Sequence, residues 1–222
     1  MLKIDFIKYP LPRRFRHHTS PNYYFSAGEL KEVPANYPPL YKEIDWSEVF
    51  INGKPPTELD IGCGKGIFLL NRAYENKNQN VLGIEVRKPP VKWLKTIIEG
   101  ERFENCGVIW YSIVNQLPFI ESESIEKCYY LFPDPWPKRK HLRRRAFDVV
   151  LLEELFRVMK PEGLLFLATD MQQIDIYHQK ILESFGKFQQ ISSELWKLPT
   201  TNKESFCIKN NIPVHRIIVK KT

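Results

Sequence analysis

Apolar and polar positions follow two regimes along the chain. From Thr57 onward, short apolar runs alternate with longer stretches of helical period. Glu58–Ile61 predicts a strand that ends in Gly62, and residues 66–74 predict a helix. A second strand is expected over 80–84 and a second helix over 91–99. A third strand is expected over 108–111 and a fourth over 127–132. Residues 146–160 predict a helix whose face carries Phe147, Val150, Leu151, Leu155, Val158 and Met159. Pro161-Glu162-Gly163 stops it. A fifth strand follows over 164–168. Ile174, Tyr177, Ile181 and Phe185 mark another helix, which Gly186 can terminate, and a last strand is expected over 214–219. Strands alternating with helices predict an α/β fold with a parallel sheet covered on both faces. In such sheets ligands bind beyond the carboxyl ends of the strands.

Residues 1–50 lack either period. They are rich in proline, aromatic and basic residues, as in Tyr9-Pro10-Leu11-Pro12-Arg13-Arg14-Phe15-Arg16-His17-His18. This stretch is expected to be an extended N-terminal arm that orders partly on binding, ahead of a single domain over 51–222.

Composition narrows the class. Lysine and arginine number 33 against 26 acids, a net charge of +7, which points towards a polyanionic partner. The surplus is concentrated: Lys138 to Arg145 reads Lys-Arg-Lys-His-Leu-Arg-Arg-Arg without an acid. Such a block repels itself unless something anionic lies against it. No apolar run reaches the roughly 18 residues of a membrane-spanning helix. The start of the chain has no apolar signal core, so a cytoplasmic location is expected. Cys63, Cys106, Cys128 and Cys207 are widely spaced without a C-x-x-C pair, so neither a metal site nor a disulfide framework is expected.

Two segments carry candidate chemistry. Leu59-Asp60-Ile61-Gly62-Cys63-Gly64-Lys65-Gly66 joins the first strand to the first helix. Gly62, Gly64 and Gly66 allow close approach of a ligand to the backbone. The spacing G-x-G-x-G differs from the dinucleotide fingerprint, and no phosphate-binding G-K-[ST] follows. Asp60 precedes the glycines, and Glu85 ends the second strand where an acid can hold ribose hydroxyls. An acidic loop of this kind favours S-adenosylmethionine over a dinucleotide. The second segment is Leu131-Phe132-Pro133-Asp134-Pro135-Trp136-Pro137-Lys138-Arg139-Lys140-His141. Its prolines predict a stiff platform, with the residue before each in extended geometry. A fixed carboxylate, an aromatic plane and a cationic stripe suit a single extruded base on a phosphate backbone.

With Gly83-Ile84-Glu85 and Ala168-Thr169-Asp170, these segments resemble the tRNA (guanine-N(7)-)-methyltransferase family, from about Thr57 to the end of the chain. The resemblance implies a doubly wound, mainly parallel, seven-stranded Rossmann-like class I methyltransferase sheet. It implies methyl transfer from S-adenosylmethionine to a guanine of the tRNA variable loop. Its cofactor acids fall on Asp60 and Glu85, and its catalytic aspartate on Asp134. Substrate contacts fall on Lys138, on Asp170, and on a late T-x-x-E string, here Thr201-Asn202-Lys203-Glu204. The chain departs from the family pattern twice. The usual aspartate after the third strand is absent from Tyr111-Ser112-Ile113-Val114-Asn115, where Ser112 and Asn115 are the candidates to replace it. The third position of the late string, usually aromatic, is Lys203.

The basic block adds Arg139, Arg143, Arg144 and Arg145 as expected phosphate contacts, with Arg13, Arg14 and Arg16 of the arm behind them. The expected partner is tRNA, acted on by a monomer or homodimer, without metal or membrane. The alternative within the class is methylation of another RNA base or position. A DNA or protein amine methyltransferase would carry [DN]-P-P-[YF] after the fourth strand. A small-molecule enzyme would not need the basic block. A non-catalytic RNA-binding module would not need the glycine loop.

Overall fold

A computed structural model describes residues 2–12 and 19–222. Strands β1 (Glu58–Ile61), β2 (Val81–Glu85), β3 (Cys106–Trp110), β4 (Ile125–Leu131), β5 (Met159–Thr169), β6 (Phe188–Ile191) and β7 (His215–Lys221) form one sheet in the order β3-β2-β1-β4-β5-β7-β6. β1 to β5 pair in parallel, whereas β7 runs antiparallel to both β5 and β6. The helices are α1 (Ile67–Glu75), α2 (Lys88–Gly100), α3 (Val149–Val158), α4 (Gln172–Phe185) and α5 (Asn202–Lys209). From β1 the chain winds outward through β2 and β3, then crosses back to β4 on the other side. That reversal opens a crevice at the carboxyl ends of the strands.

The burial explains the strands. β1 and β2 are buried at every position, as expected for parallel strands covered on both faces. Leu59 and Ile61 enter a core with Leu82, Ile84, Tyr111, Leu151 and Leu155. On the opposite face, Leu69 and Leu70 of α1 and Trp93, Leu94 and Ile97 of α2 pack over Val81 and Val108. Glu58 is also fully buried, because α1 brings Arg72 to it in a two-pronged pair of 2.6 and 2.7 Å, and Tyr129 donates its hydroxyl at 2.8 Å. Removing one member of such a buried pair costs about 3–5 kcal/mol, since the remaining charge is stranded.

The boundaries differ from the sequence pattern where caps and bulges intervene. The expected helix over 146–160 starts at Val149, because the Asp148 side chain accepts from the Leu151 N–H at 2.8 Å and caps it. Phe147 therefore packs in the core from outside the helix, and Val150 turns to solvent at 51% exposure. Pro161-Glu162-Gly163 does not lie in a loop but inside β5. The pairing with β4 shifts there from Ile125↔Met159 to Lys127↔Leu164, and Glu162 takes a φ of 64°. β6 and α5 have no counterpart in the periodicity. β6 is a short edge strand without buried residues, and only Glu204 and Cys207 of α5 are buried.

The arm follows an irregular path with single 3-10 turns at Pro21–Tyr24, Ala27–Glu29 and Trp46–Glu48. Several of its described residues pack on the domain. Tyr9 joins the α2 core and its carbonyl accepts from the Trp93 indole, while Tyr23, Tyr37 and Phe50 are buried further along. All four cysteines are free; Cys63 is half-buried and the others are buried.

Candidate active site

A cavity of about 580 Å³ opens at the carboxyl ends of the central strands. Each parallel strand sends the residues after it to the wall: Gly62 and Gly64 after β1, Arg87 after β2, Ser112 after β3, Asp134 and Trp136 after β4, and Asp170 after β5. Among the site residues expected from sequence, Gly62, Gly64, Glu85, Ser112, Asp134, Arg144 and Asp170 line this one cavity.

The cofactor loop turns through three left-handed glycines, with φ of 77° at Gly62, 59° at Gly64 and 66° at Gly66. A side chain at Gly62 would meet open space, so the backbone there faces the cavity without obstruction. Gly66 has another task. It caps α1, and a Cβ there would strike the Leu94 side chain of α2, so this glycine lets the two helices approach rather than lining the cavity. Glu85 is fixed by the Gly64 N–H at 2.8 Å, the Arg87 N–H at 2.9 Å and the Arg87 guanidinium at 2.8 Å. Asp60 lies behind the loop, buried, with its Oδ2 lacking any hydrogen-bond partner. Burial, reinforced by the nearby Glu85 carboxylate, pushes the Asp60 carboxyl up to about 8.

The Pro-Asp-Pro-Trp-Pro platform is more strained than its prolines predict. Phe132 and Trp136, each preceding a proline, take φ of 52° and 40° instead of extended geometry. Non-glycine residues in that region cost about 1–3 kcal/mol each and persist only where the surroundings impose them. Here the Phe132 N–H is tied to the Ala168 carbonyl at the end of β5 at 2.7 Å. Trp136 is boxed by Tyr24 edge-on at 4.8 Å, by His141 at 5.6 Å and by the Arg144 guanidinium at 4.8 Å from the ring centre. Asp134 stands exposed on the rim and accepts from the Tyr24 hydroxyl at 3.2 Å.

The basic block forms a 3-10 helix, Arg139–Arg144, beyond this platform. Lys138, Arg139, Lys140 and Arg143 are exposed, whereas Arg145 turns back. It donates to the Pro135 carbonyl at 3.1 Å and lies over the Tyr177 ring, so it braces the platform. Arg143 lies over Phe25 of the arm.

Three further expected site residues also lie off the cavity wall. The Asn115 amide accepts from the Ala27 N–H at 2.8 Å and donates to the Tyr37 hydroxyl at 2.9 Å, away from the cavity wall. Thr201 caps α5 by accepting from the Glu204 N–H at 2.9 Å. Glu204 is buried against Arg216. The T-x-x-E string is thus spent on starting a helix, a capping signature that the sequence already displays. Lys203, the departure from the pattern, lines the cavity instead and pairs with Asp170 at 2.8 Å. Sequence reasoning missed Tyr24, Arg87 and Lys203. Arg87 was foreshadowed by its place two residues after Glu85, but nothing local marks Tyr24. Arg13, Arg14 and Arg16 lie outside the described residues.

The family model described as "Putative methyltransferase" matches residues 54–213. A tRNA (guanine-N(7)-)-methyltransferase of Lactobacillus johnsonii is 32% identical over 75% of this chain and 77% of its own length. The chain belongs to the tRNA (guanine-N(7)-)-methyltransferase family. Another tRNA (guanine-N(7)-)-methyltransferase, from Prochlorococcus marinus, is 33% identical over 67% of this chain and 73% of its own. The fold of this methyltransferase family member matches a crystal structure of a SAM-dependent methyltransferase from Aquifex aeolicus, with a TM-score of 0.52 at 18% identity. That match covers 75% of this chain and 82% of the other. Among the described residues, no helix is long and apolar enough to cross a membrane, and no cluster of His, Cys, Asp or Glu could hold a metal ion.

Proposed function

We propose that the chain transfers a methyl group from S-adenosylmethionine to nitrogen 7 of a guanine in the tRNA variable loop. One observation carries this reading. The glycine loop with Glu85, and the platform with Asp134 and Trp136, line a single cavity. The chemistry resides in residues 51–222, with residues 1–50 as an arm against them, and acting on tRNA places the enzyme in the cytoplasm.

The residues fit the cofactor. A buried carboxylate oxygen without a donor, on Asp60, suits a cationic ligand that brings its own charge. Glu85 is placed to accept from ribose hydroxyls in exchange for the Arg87 guanidinium, and Ser112 lines the adenine side, its hydroxyl donating to the Tyr23 carbonyl at 2.5 Å. S-adenosylmethionine, when bound, supplies an electrophilic methyl group on a sulfonium.

Nitrogen 7 of guanine carries a lone pair and no proton, so no residue need act as general base. The task is alignment, which can supply up to roughly 7–11 kcal/mol in well-oriented systems. Trp136 provides a plane for the extruded base. Asp134 accepts from the guanine edge and favours the positive charge that develops on the ring. Asp170, tied to Lys203, lines the same cavity from the neighbouring strand β5 and is the second acid available to the base.

Labelled methyl transfer to unmodified tRNA, followed by digestion, is expected to yield 7-methylguanosine. Transfer to another atom, or none to tRNA, overturns the reading.

The exposed cations should supply affinity. Neutralising Lys138, Arg139 and Arg143 is expected to weaken tRNA binding across sequences. For every phosphate that thereby goes without its cation, the slope of log K against log salt should fall by about 0.7–0.9. An unchanged slope in a filter-binding titration removes these side chains from the interface. Arg145→Ala should behave differently, lowering turnover with little change in slope, because that side chain holds the Pro135 carbonyl.

A further inference from the structure

The segment from Ser20 to Leu30 sends Tyr24 to the wall of the cavity, and it is pinned beside it. Ser112 donates to the Tyr23 carbonyl at 2.5 Å, and Asn115 accepts from the Ala27 N–H at 2.8 Å. Tyr37 donates to the Phe25 carbonyl at 2.6 Å, and its own hydroxyl accepts from Asn115. Glu29 closes the turn by accepting from the Ser26 N–H at 2.9 Å and from its hydroxyl at 2.8 Å. The segment is therefore anchored to the loop after β3, at the end of the cavity assigned to the cofactor. From that anchorage Tyr24 reaches across to the loop after β4. Its hydroxyl donates to Oδ2 of Asp134 at 3.2 Å, and its ring meets Trp136 edge-on at 4.8 Å.

We propose that Tyr24 is a positioning residue for methyl transfer, acting through Asp134 and Trp136 to hold carboxylate and aromatic plane in the geometry the target base requires. The inference rests on the reading that Asp134 acts at the base. A carboxylate has about four lone-pair sites, so a donor from Tyr24 fixes the group's rotation and leaves it able to accept from guanine as well. Burial, with the charges of Asp134 and Glu85, raises the Tyr24 hydroxyl well above the usual tyrosine range, so it stays protonated and remains a donor at any working pH. A carboxylate oriented this way presents only acceptors. It matches the N–H groups on the Watson–Crick edge of guanine and opposes the ring-nitrogen acceptor that adenine presents there. The anchorage on Ser112 and Asn115 further ties this geometry to the cofactor's side of the cavity, although Tyr24 itself lies far from both in sequence.

Tyr24→Phe removes only the hydroxyl. It is expected to lower kcat about threefold to tenfold, as the loss of one hydrogen bond used in positioning should. KM for tRNA, cofactor affinity and thermal midpoint should stay at wild-type values. Tyr24→Ala, which also removes the edge contact with Trp136, should lower kcat further and raise KM for tRNA. Single-turnover rates in an Asp134→Ala background complete the test, because with its acceptor gone Tyr24→Phe should have no further effect there. An equal loss in both backgrounds overturns the inference, since Tyr24 would then act by another route. Wild-type kcat in Tyr24→Phe overturns it and leaves the assignment of Asp134 standing. A fall in kcat matched by a fall in thermal midpoint also overturns it, by marking the role as structural. Undiminished turnover in Asp134→Ala removes the assignment of Asp134 to the base, and with it the inference, while the function reading falls only if no 7-methylguanosine forms in tRNA.

Discussion

Asp134→Ala is expected to cut methyl transfer by roughly 10²–10³-fold, the usual effect of deleting one preorganised group that meets developing charge. Cofactor affinity should not change, because the cofactor's acids, Asp60 and Glu85, come from β1 and β2 and Asp134 is not among them. Stability should move by no more than about 0.5 kcal/mol, because Asp134 is exposed on the rim and outside the core. Asp134→Asn separates charge from shape. An amide presents two donors beside its acceptor, so it can turn a donor towards the guanine edge and loses the attraction for the developing cation. It should stay within a few-fold of the alanine variant. Single-turnover methylation, paired with calorimetric titration of the cofactor, measures both quantities. Near-wild-type turnover in Asp134→Ala would reassign the chemistry, with Asp170 next in line.

The second large effect concerns Asp60 and pH. Its carboxyl is raised to about 8 by burial and by Glu85. An unfolded aspartate ionises near 4, so between about pH 4 and 8 the folded chain holds a proton that the unfolded chain has lost. Stability must therefore fall as pH rises through that window, by up to about 1.4 kcal/mol per unit, and level off above it. Asp60→Asn removes the ionisation and should flatten this part of the profile, making the variant the more stable protein at pH 8.5. Urea denaturation at pH 6 and pH 8.5 measures the difference, and equal slopes for both proteins would refute the assignment. A cation bound beside Asp60 reverses the balance by favouring the charged form. Cofactor binding below pH 8 should thus release a proton and tighten with rising pH. In Asp60→Asn both effects should vanish, together with much of the affinity. Calorimetry in two buffers of different ionisation enthalpy counts the proton directly.

The readability of this chain varied with the kind of signal. β1 and the residues around it were legible because a fully buried parallel strand followed by glycines has few other interpretations. The Pro-Asp-Pro-Trp-Pro platform was located by composition, yet its backbone was not. Left-handed Phe132 and Trp136 are imposed by the β5 edge and by the ring box, which no local rule contains. α3 was drawn too long because the apolar spacing of Phe147 outweighed the cap at Asp148. β6 was invisible because it is an edge strand with no buried position, held only through β7. Thr201 and Glu204 carry a capping signature beside the substrate role that the family likeness implies, and the structure displays the cap. Tyr24 was beyond reach for a different reason. Its importance comes from contacts more than a hundred positions away, and its own neighbourhood is irregular.

The place of β7 has a consequence for how the protein is made. This strand, the last one described, inserts between β5 and β6 and hydrogen-bonds to both. Until it arrives, β5 has a bare outer edge and β6 has no partner in the sheet. Arg216, which neutralises the buried Glu204 of α5, also travels on it. A chain emerging from the ribosome can lay down β1 to β5 early, but it cannot close the sheet or seat α5 beside Asp170 until residues 215–221 have followed. In that interval the nascent protein carries a raw strand edge open to self-association, and its crevice still lacks the Lys203 wall.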